Sequence, residues 1–392
     1  MAMTLTWRDE LALLLRPAAG GVHLVSTGRQ AQAQLQRRLY GVDSDEAVRA
    51  QFLARLERIP SARGVILGIP SDVGAGFVRG ANMGPQAIRE ALLAESPDWT
   101  ARCEAAGVID IGDVFVVPQL LHDDMLSDAQ RRATHRALYP TLYRAADATT
   151  DATTDATTDA TTPDAELPVS PLSIAERALD LVLAQNPGIA PFVMGGDHST
   201  AWPVVAALAR ARTDRWAIVQ PDAHTDLLEH RLGVKYCFAT WSYHANELLQ
   251  RDGRMVQVGV RASGKDRGHW EGSLGVRQFW AEECRRRPQE SLDEVIAHLK
   301  RVGATAVYFS NDIDGTDEQF ADATGTPEPA GLEPAWLLEL IRRLGAEIGL
   351  LGGDIMEVAP PLGRAAGSAE QTTALAARYL RATIAAALRT PL

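Results

Sequence analysis

Apolar residues in this chain gather into short unbroken runs, separated by longer stretches of helical periodicity. Runs at 64–69, 189–194, 216–220, 255–260, 305–309 and 348–351 read as strands buried on both faces. Residues 107–117 read as a further strand and its loop. Between the runs, the spacing predicts helices at 85–94, 173–183, 292–301, 334–344 and 369–388, and one starting near Thr200. Pro85 sits where its missing N–H is harmless, in a first helical turn. Strand and helix alternate nearly throughout, which predicts an α/β fold whose sheet is mostly parallel with helices on both faces.

Two segments depart from the alternation. Residues 31–59 carry Leu35, Leu39, Val42, Ala47, Phe52, Leu53, Leu56 and Ile59 at helical spacing among Gln and Arg. One or two amphipathic helices are expected there, so residues 1–60 read as a helical N-terminal extension on a unit spanning 61–392. It covers that unit or forms a subunit contact. Residues 147–162 are four copies of Asp-Ala-Thr-Thr, with one charge and no large apolar group per repeat. Such a segment does not repay its ordering entropy, and a disordered insertion is expected over about 145–168.

Composition narrows the function. The 392 residues are 46% hydrophobic, enough for a sizeable core, and the net charge of −11 would repel nucleic-acid phosphates. No apolar run reaches the roughly 18 residues of a membrane span, and Met1 to Glu10 has no signal-peptide pattern. Three cysteines make no disulfide framework, which fits a cytoplasmic protein.

The chemistry lies at the strand ends. Asp222-Ala223-His224-Thr225-Asp226 follows the run at 216–220. In extended backbone, residues two apart share a face, so Asp222, His224 and Asp226 can converge. Alone the stretch also reads as a polar loop with a capping Asp. Gly195-Gly196-Asp197-His198-Ser199 places His198 at a second strand end, with Asp197 orienting it or capping the next helix. Ser310-Asn311-Asp312-Ile313-Asp314-Gly315-Thr316-Asp317 places Asp312 and Asp314 at a third. Four Asp and two His exceed what one tetrahedral zinc needs. Their oxygen-rich set suits two Mn-like divalent ions with a bridging carboxylate.

These three motifs, in this order, resemble the metal signatures of the ureohydrolases, the arginase and agmatinase family. Asp322-Ala323-Thr324-Gly325-Thr326-Pro327, Gly353-Asp354-Ile355-Met356-Glu357-Val358 and Gly80-Ala81-Asn82-Met83-Gly84-Pro85-Gln86-Ala87-Ile88-Arg89 resemble further family segments. The resemblance spans about 64–388. It implies a three-layer α/β/α sandwich of about eight strands and a catalytic unit over 61–392. It also implies two divalent ions, Mn by default with Ni or Co fitting the same ligands, and a homo-oligomer, trimer or hexamer.

The expected reaction is hydrolysis of a guanidino compound to urea and an amine or ammonia. Asp226 is the candidate to receive the water's proton. Glu357 is the candidate to pair with the guanidinium, since a carboxylate accepts two parallel N–H bonds. Its other reading is a salt-bridged Glu after a strand. Thr326 matches a family position near the substrate, or is a turn residue before Pro327. Asp317 orients the ligand loop or caps a helix. The chain also departs from the family. Residues 233–246 lack the usual His-Gly pair, for which His244 is the candidate substitute as proton shuttle. Leu227 and Leu228 stand where arginases hold the amino-acid end of arginine. Phe238, Trp241 and Tyr243 suggest an aromatic wall, or core. A short-tailed substrate (guanidine, agmatine or a guanidino acid) is therefore expected over arginine. The alternatives are a non-catalytic or regulatory metal-binding paralogue and a one-zinc deacetylase of related fold.

Overall fold

The computed structural model describes residues 5–76, 78–147 and 167–392. Nine strands form one sheet: β1 (Leu15–Arg16), β2 (Gly64–Ile69), β3 (Val108–Val114), β4 (Ala190–Gly195), β5 (Trp216–Pro221), β6 (Met255–Val260), β7 (Arg277–Trp280), β8 (Ala306–Asp312) and β9 (Leu350–Met356). Their order is β1-β3-β2-β4-β9-β8-β5-β6-β7. Every pairing is parallel except β1 with β3. Strands β2, β4, β5 and β6 are buried along their whole length, as unbroken apolar runs require.

The sheet has one strand more than the expected eight or so, and three strands differ most from the reading of the chain. β1 is two residues long and β7 four, too short for a period to register. β9 lies at Leu350–Met356 rather than 348–351, because Gly352, Gly353 and Asp354 interrupt its apolar run. Those glycines belong in the strand. A Cβ on Gly352 would lie 2.2 Å from the Pro191 carbonyl, and one on Gly353 2.6 Å from that of Phe309.

Helices pack in two groups on the two faces. Gly84–Glu95, Pro334–Glu347 and Ser368–Leu388 pack together, as do Pro171–Gln185, Trp202–Ala211 and Trp241–Leu248. Arg89, 1% exposed, ties Gly84–Glu95 to β3 by donating to Asp110 and Asp113. Before β2 come the helices Trp7–Leu14, Arg29–Tyr40 and Asp45–Glu57. Ser44 caps the last of these by accepting from Ala47 N–H. Leu11, Leu14, Leu35, Leu39, Phe52 and Leu56 join the same apolar core as the strands, and β1 extends the sheet past β3. Of the Asp-Ala-Thr-Thr repeat, Asp147 ends the helix Pro140–Asp147, and the remainder lies outside the described residues.

Candidate metal centre

The site is built where β4, β5, β8 and β9 end, at the carboxyl edge of the sheet. One local device recurs at three of these ends. Asp197 Oδ1 accepts from Ser199 N–H (2.8 Å), Asp222 Oδ1 from His224 N–H (2.6 Å), and Asp312 Oδ1 from Asp314 N–H (2.9 Å). Each aspartate thus turns the chain as it leaves the strand. This corrects the picture of ligands alternating along extended backbone. β5 ends at Pro221, and Asp314 lies in the short turn Ile313–Gly315. Asp226 takes a left-handed φ of 52°. Gly196 allows the β4 turn, since a Cβ there would lie 1.8 Å from the Ser71 carbonyl.

Two groups of ligand atoms result, His198 with Asp222 and Asp312, and Asp222 with His224 and Asp314; within each, the atoms lie within 4.8 Å of one another. Asp222 belongs to both. His198 Nδ1 lies 2.9 Å from Asp312 Oδ2, 3.4 Å from Asp222 Oδ2 and 3.6 Å from Asp226 Oδ2. His224 Nδ1 lies 3.0 Å from Asp314 Oδ2 and 3.6 Å from Asp222 Oδ1. All six expected ligand residues therefore meet in one place.

The second ring nitrogen of His198 has its own partner. Its Nε2 lies 3.1 Å from Ser310 Oγ, whose hydroxyl donates to Asp354 at 3.0 Å. Having given its proton to Asp354, Ser310 accepts from Nε2–H, which leaves Nδ1 as the nitrogen facing the aspartates. Trp241 stacks on His198 at 4.4 Å between ring centres, and its Nε1–H donates to Asp226 Oδ2 at 3.0 Å. Trp241 is thus fully buried against the ligands. The Arg261 guanidinium donates to the carbonyls of Asp314, Thr316 and Glu328, fastening the ligand loop to the loop beside it. Ser310 and Asp354 stand inside motifs quoted from the sequence, yet their roles, like that of Arg261, depend on partners far away in the chain.

Charge in this cluster is unbalanced. Burial, then the neighbouring Asp222, pushes the Asp226 carboxyl well above its usual range. Burial, then Asp314 and Asp222, does the same to Asp312. Burial would lower His224, but Asp314 and Asp222 beside it raise it to about 12. Four buried or nearly buried carboxylates facing two imidazoles are a donor set that divalent cations fit, by chemistry and by charge.

The other expected residues sit as follows. Glu357, at a left-handed φ of 61°, leaves β9 beside the site, and its Oε1 accepts from His198 N–H at 2.9 Å. Burial, then Asp197, raises its pKa well above the ordinary value. Thr326 donates to Asp314 Oδ2 at 3.2 Å. Asp317 accepts from Gln319 N–H and Gly331 N–H, so it joins two loop segments. His244 packs on Trp202, Tyr236 and Tyr243, and its Nε2 lies 3.0 and 3.1 Å from the carbonyls of Glu229 and Lys235. Those contacts brace the 229–235 loop and reach no ligand residue.

A model of the arginase family matches residues 62–385. The chain belongs to the arginase family. Guanidinobutyrase of Pseudomonas aeruginosa is 30% identical over 320 residues, 79% of this chain and 82% of the relative. The human mitochondrial guanidino acid hydrolase is 29% identical over 366 residues, 88% and 87% of the two chains. Among solved structures, proclavaminate amidino hydrolase from Streptomyces clavuligerus is 26% identical with a TM-score of 0.59, covering 83% of this chain and 94% of that one. This arginase-family chain is a hydrolase of linear amidine C–N bonds, a ureohydrolase of guanidino compounds. Among the described residues, no helix is long and apolar enough to cross a membrane.

Proposed function

We propose that this protein is a binuclear-metal ureohydrolase that releases urea from a short-tailed guanidino compound rather than from arginine. The observation carrying the reading is that the two ligand groups overlap at Asp222, so one carboxylate would serve two cations. His198, Asp222, Asp226 and Asp312 would hold one ion, and Asp222, His224 and Asp314 the other. Bound Mn, or Ni or Co in the same ligands, supplies Lewis acidity and lowers the pKa of a water to near neutral.

The chain's own groups do the rest. Asp226, anchored by Trp241, takes the proton of the attacking water. Glu357 pairs with the guanidinium, orienting its central carbon and offsetting the cost of a half-buried carboxylate. Thr326 steadies Asp314 beside that substrate position. The short tail is supported by Leu227, 3% exposed within the core, and by the partly exposed Leu228, neither of which can pair with an amino acid's charged end. The names of the guanidinobutyrase and guanidino acid hydrolase relatives point the same way. An oligomer, trimer or hexamer, belongs to the same proposal.

The test is urea release from guanidine, agmatine, guanidinobutyrate, guanidinopropionate and arginine, each with Mn and with Ni. Turnover of one short substrate well above arginine is expected. No urea with either metal would leave the non-catalytic paralogue. A His244→Ala variant at full rate would remove that residue from the proton path.

A further inference from the structure

Three glutamines stand in register across neighbouring strands: Gln220 on β5 faces Gln257 on β6, which faces Gln278 on β7. All three are fully buried. Their side chains form one continuous hydrogen-bonded row. Trp280 Nε1–H donates to Gln278 Oε1 (3.0 Å), Gln278 Nε2–H to Gln257 Oε1 (2.8 Å), Gln257 Nε2–H to Gln220 Oε1 (2.8 Å), and Gln220 Nε2–H to Asp222 Oδ2 (2.7 Å). The direction is dictated by the two ends. An indole N–H only donates and a carboxylate only accepts, so every amide between them points the same way. Ser242 Oγ–H and the Thr225 carbonyl complete the row, the first donating to Gln220 Oε1 and the second accepting from Gln257 Nε2–H at 2.6 Å.

We infer that this row is a positioning relay for Asp222, the carboxylate shared by both proposed cations. Three amides inside an apolar sheet cost free energy unless every group is satisfied, and an apolar trio would pack there without that demand. What the row adds is a set of aligned dipoles with its donor end on one oxygen of Asp222. Aligned hydrogen bonds in a dry interior polarise one another, so the last is strengthened by those behind it. Asp222 Oδ1 is meanwhile held by His224 N–H. Both oxygens are therefore fixed by donors before any cation arrives, and the shared ligand has one orientation. Gln220, Gln257 and Gln278 act through Asp222 and touch no substrate.

This inference rests on the two-cation reading, and the experiment separates the two. Full-length protein, stripped of metal, is titrated with Mn by calorimetry as wild type, Gln220→Met, Gln278→Met and the double variant. Wild type is expected to bind two Mn; if it does not, the two-cation reading fails first and the relay falls with it. Gln220→Met is expected to weaken both Mn ions about 10-fold, as loss of a supporting partner does. Gln278→Met, three hydrogen bonds from Asp222, is expected to weaken them about 2-fold, and to add nothing in the Gln220→Met background, where the row is already cut. A purely structural row would give additive changes in melting temperature and unchanged Mn affinities. Wild-type Mn affinity in Gln220→Met, or an undiminished Gln278→Met effect in the double variant, overturns the relay. If Gln220→Met does not fold, Gln278→Met at wild-type Mn affinity overturns it alone.

Discussion

The two halves of the candidate cation site share Asp222 but have different surroundings. In the half around His198, all three ligand residues are buried, the imidazole is held from behind by Ser310 and Asp354, and Trp241 covers its face. In the half around His224, the imidazole side chain is 28% exposed, Asp314 is held by the Ala223 N–H and the Thr326 hydroxyl, and Glu328 lies 4.0 Å from the ring. Similar donor chemistry, imidazole and carboxylate in both halves, therefore comes with unequal dependence on the protein. Where water is excluded, each missing partner leaves a polar group with nothing to replace it; near solvent, water takes its place.

The sharpest way to break this comparison is Asp222→Asn. Both halves lose their common ligand, so Mn binding should vanish at both and urea release should fall by more than about 100-fold, beyond the loss of a mere supporting residue. One tight Mn surviving in a calorimetric titration would mean that the halves are independent. Next in size is Ser310→Ala, which frees His198 Nε2–H. One Mn should weaken by about 10- to 100-fold while the other keeps its affinity. Equal weakening of both would erase the distinction between the halves.

Protonation separates the metal-free from the loaded protein. Burial pushes Asp354 up to about 6 and Asp197 likewise to about 6, above the 3.8 of an unperturbed aspartate. A raised carboxyl stabilises the fold fully below the unfolded pKa and loses that contribution as pH rises through the folded one. The melting temperature of metal-stripped protein should therefore fall between pH 5 and pH 7, and less so in Asp354→Asn. Adding Mn should raise it more at pH 7 than at pH 5, because the cations displace protons from Asp226 and Asp312. A metal-stripped protein that gained stability over that interval would contradict the assignment. The smallest effect belongs to the exposed half: Thr326→Val removes one hydrogen bond, worth about 1 kcal/mol. A roughly 5-fold weaker second Mn, by titration, would match that energy.

Much of this was legible in the chain, and the parts that were not have a common cause. The six candidate ligand residues stood out because each follows an apolar run, and a run of that length in an alternating chain ends at the site-bearing edge of a parallel sheet. The repeated Asp at those ends also carried the local turn, since an aspartate side chain and the N–H two residues on need nothing remote to meet. β9 was displaced because its glycines answer to the Pro191 and Phe309 carbonyls on the neighbouring strands. Neither the Trp241 N–H on Asp226 nor the His244 ring bracing the 229–235 loop could be read from the chain, because their partners lie elsewhere in the sequence.

By itself, then, the sequence determined what depends on a few consecutive residues: which runs become strands, which residue types follow them, and the turns those residues make. Tertiary structure alone decided which groups become partners across the sheet: that Ser310 and Asp354 stand behind His198, that three glutamines fall into register behind Asp222, and that His198 is sealed off while His224 is partly exposed. Register and burial depend on distant chain segments meeting, and those contacts exist only once the whole sheet has closed around them.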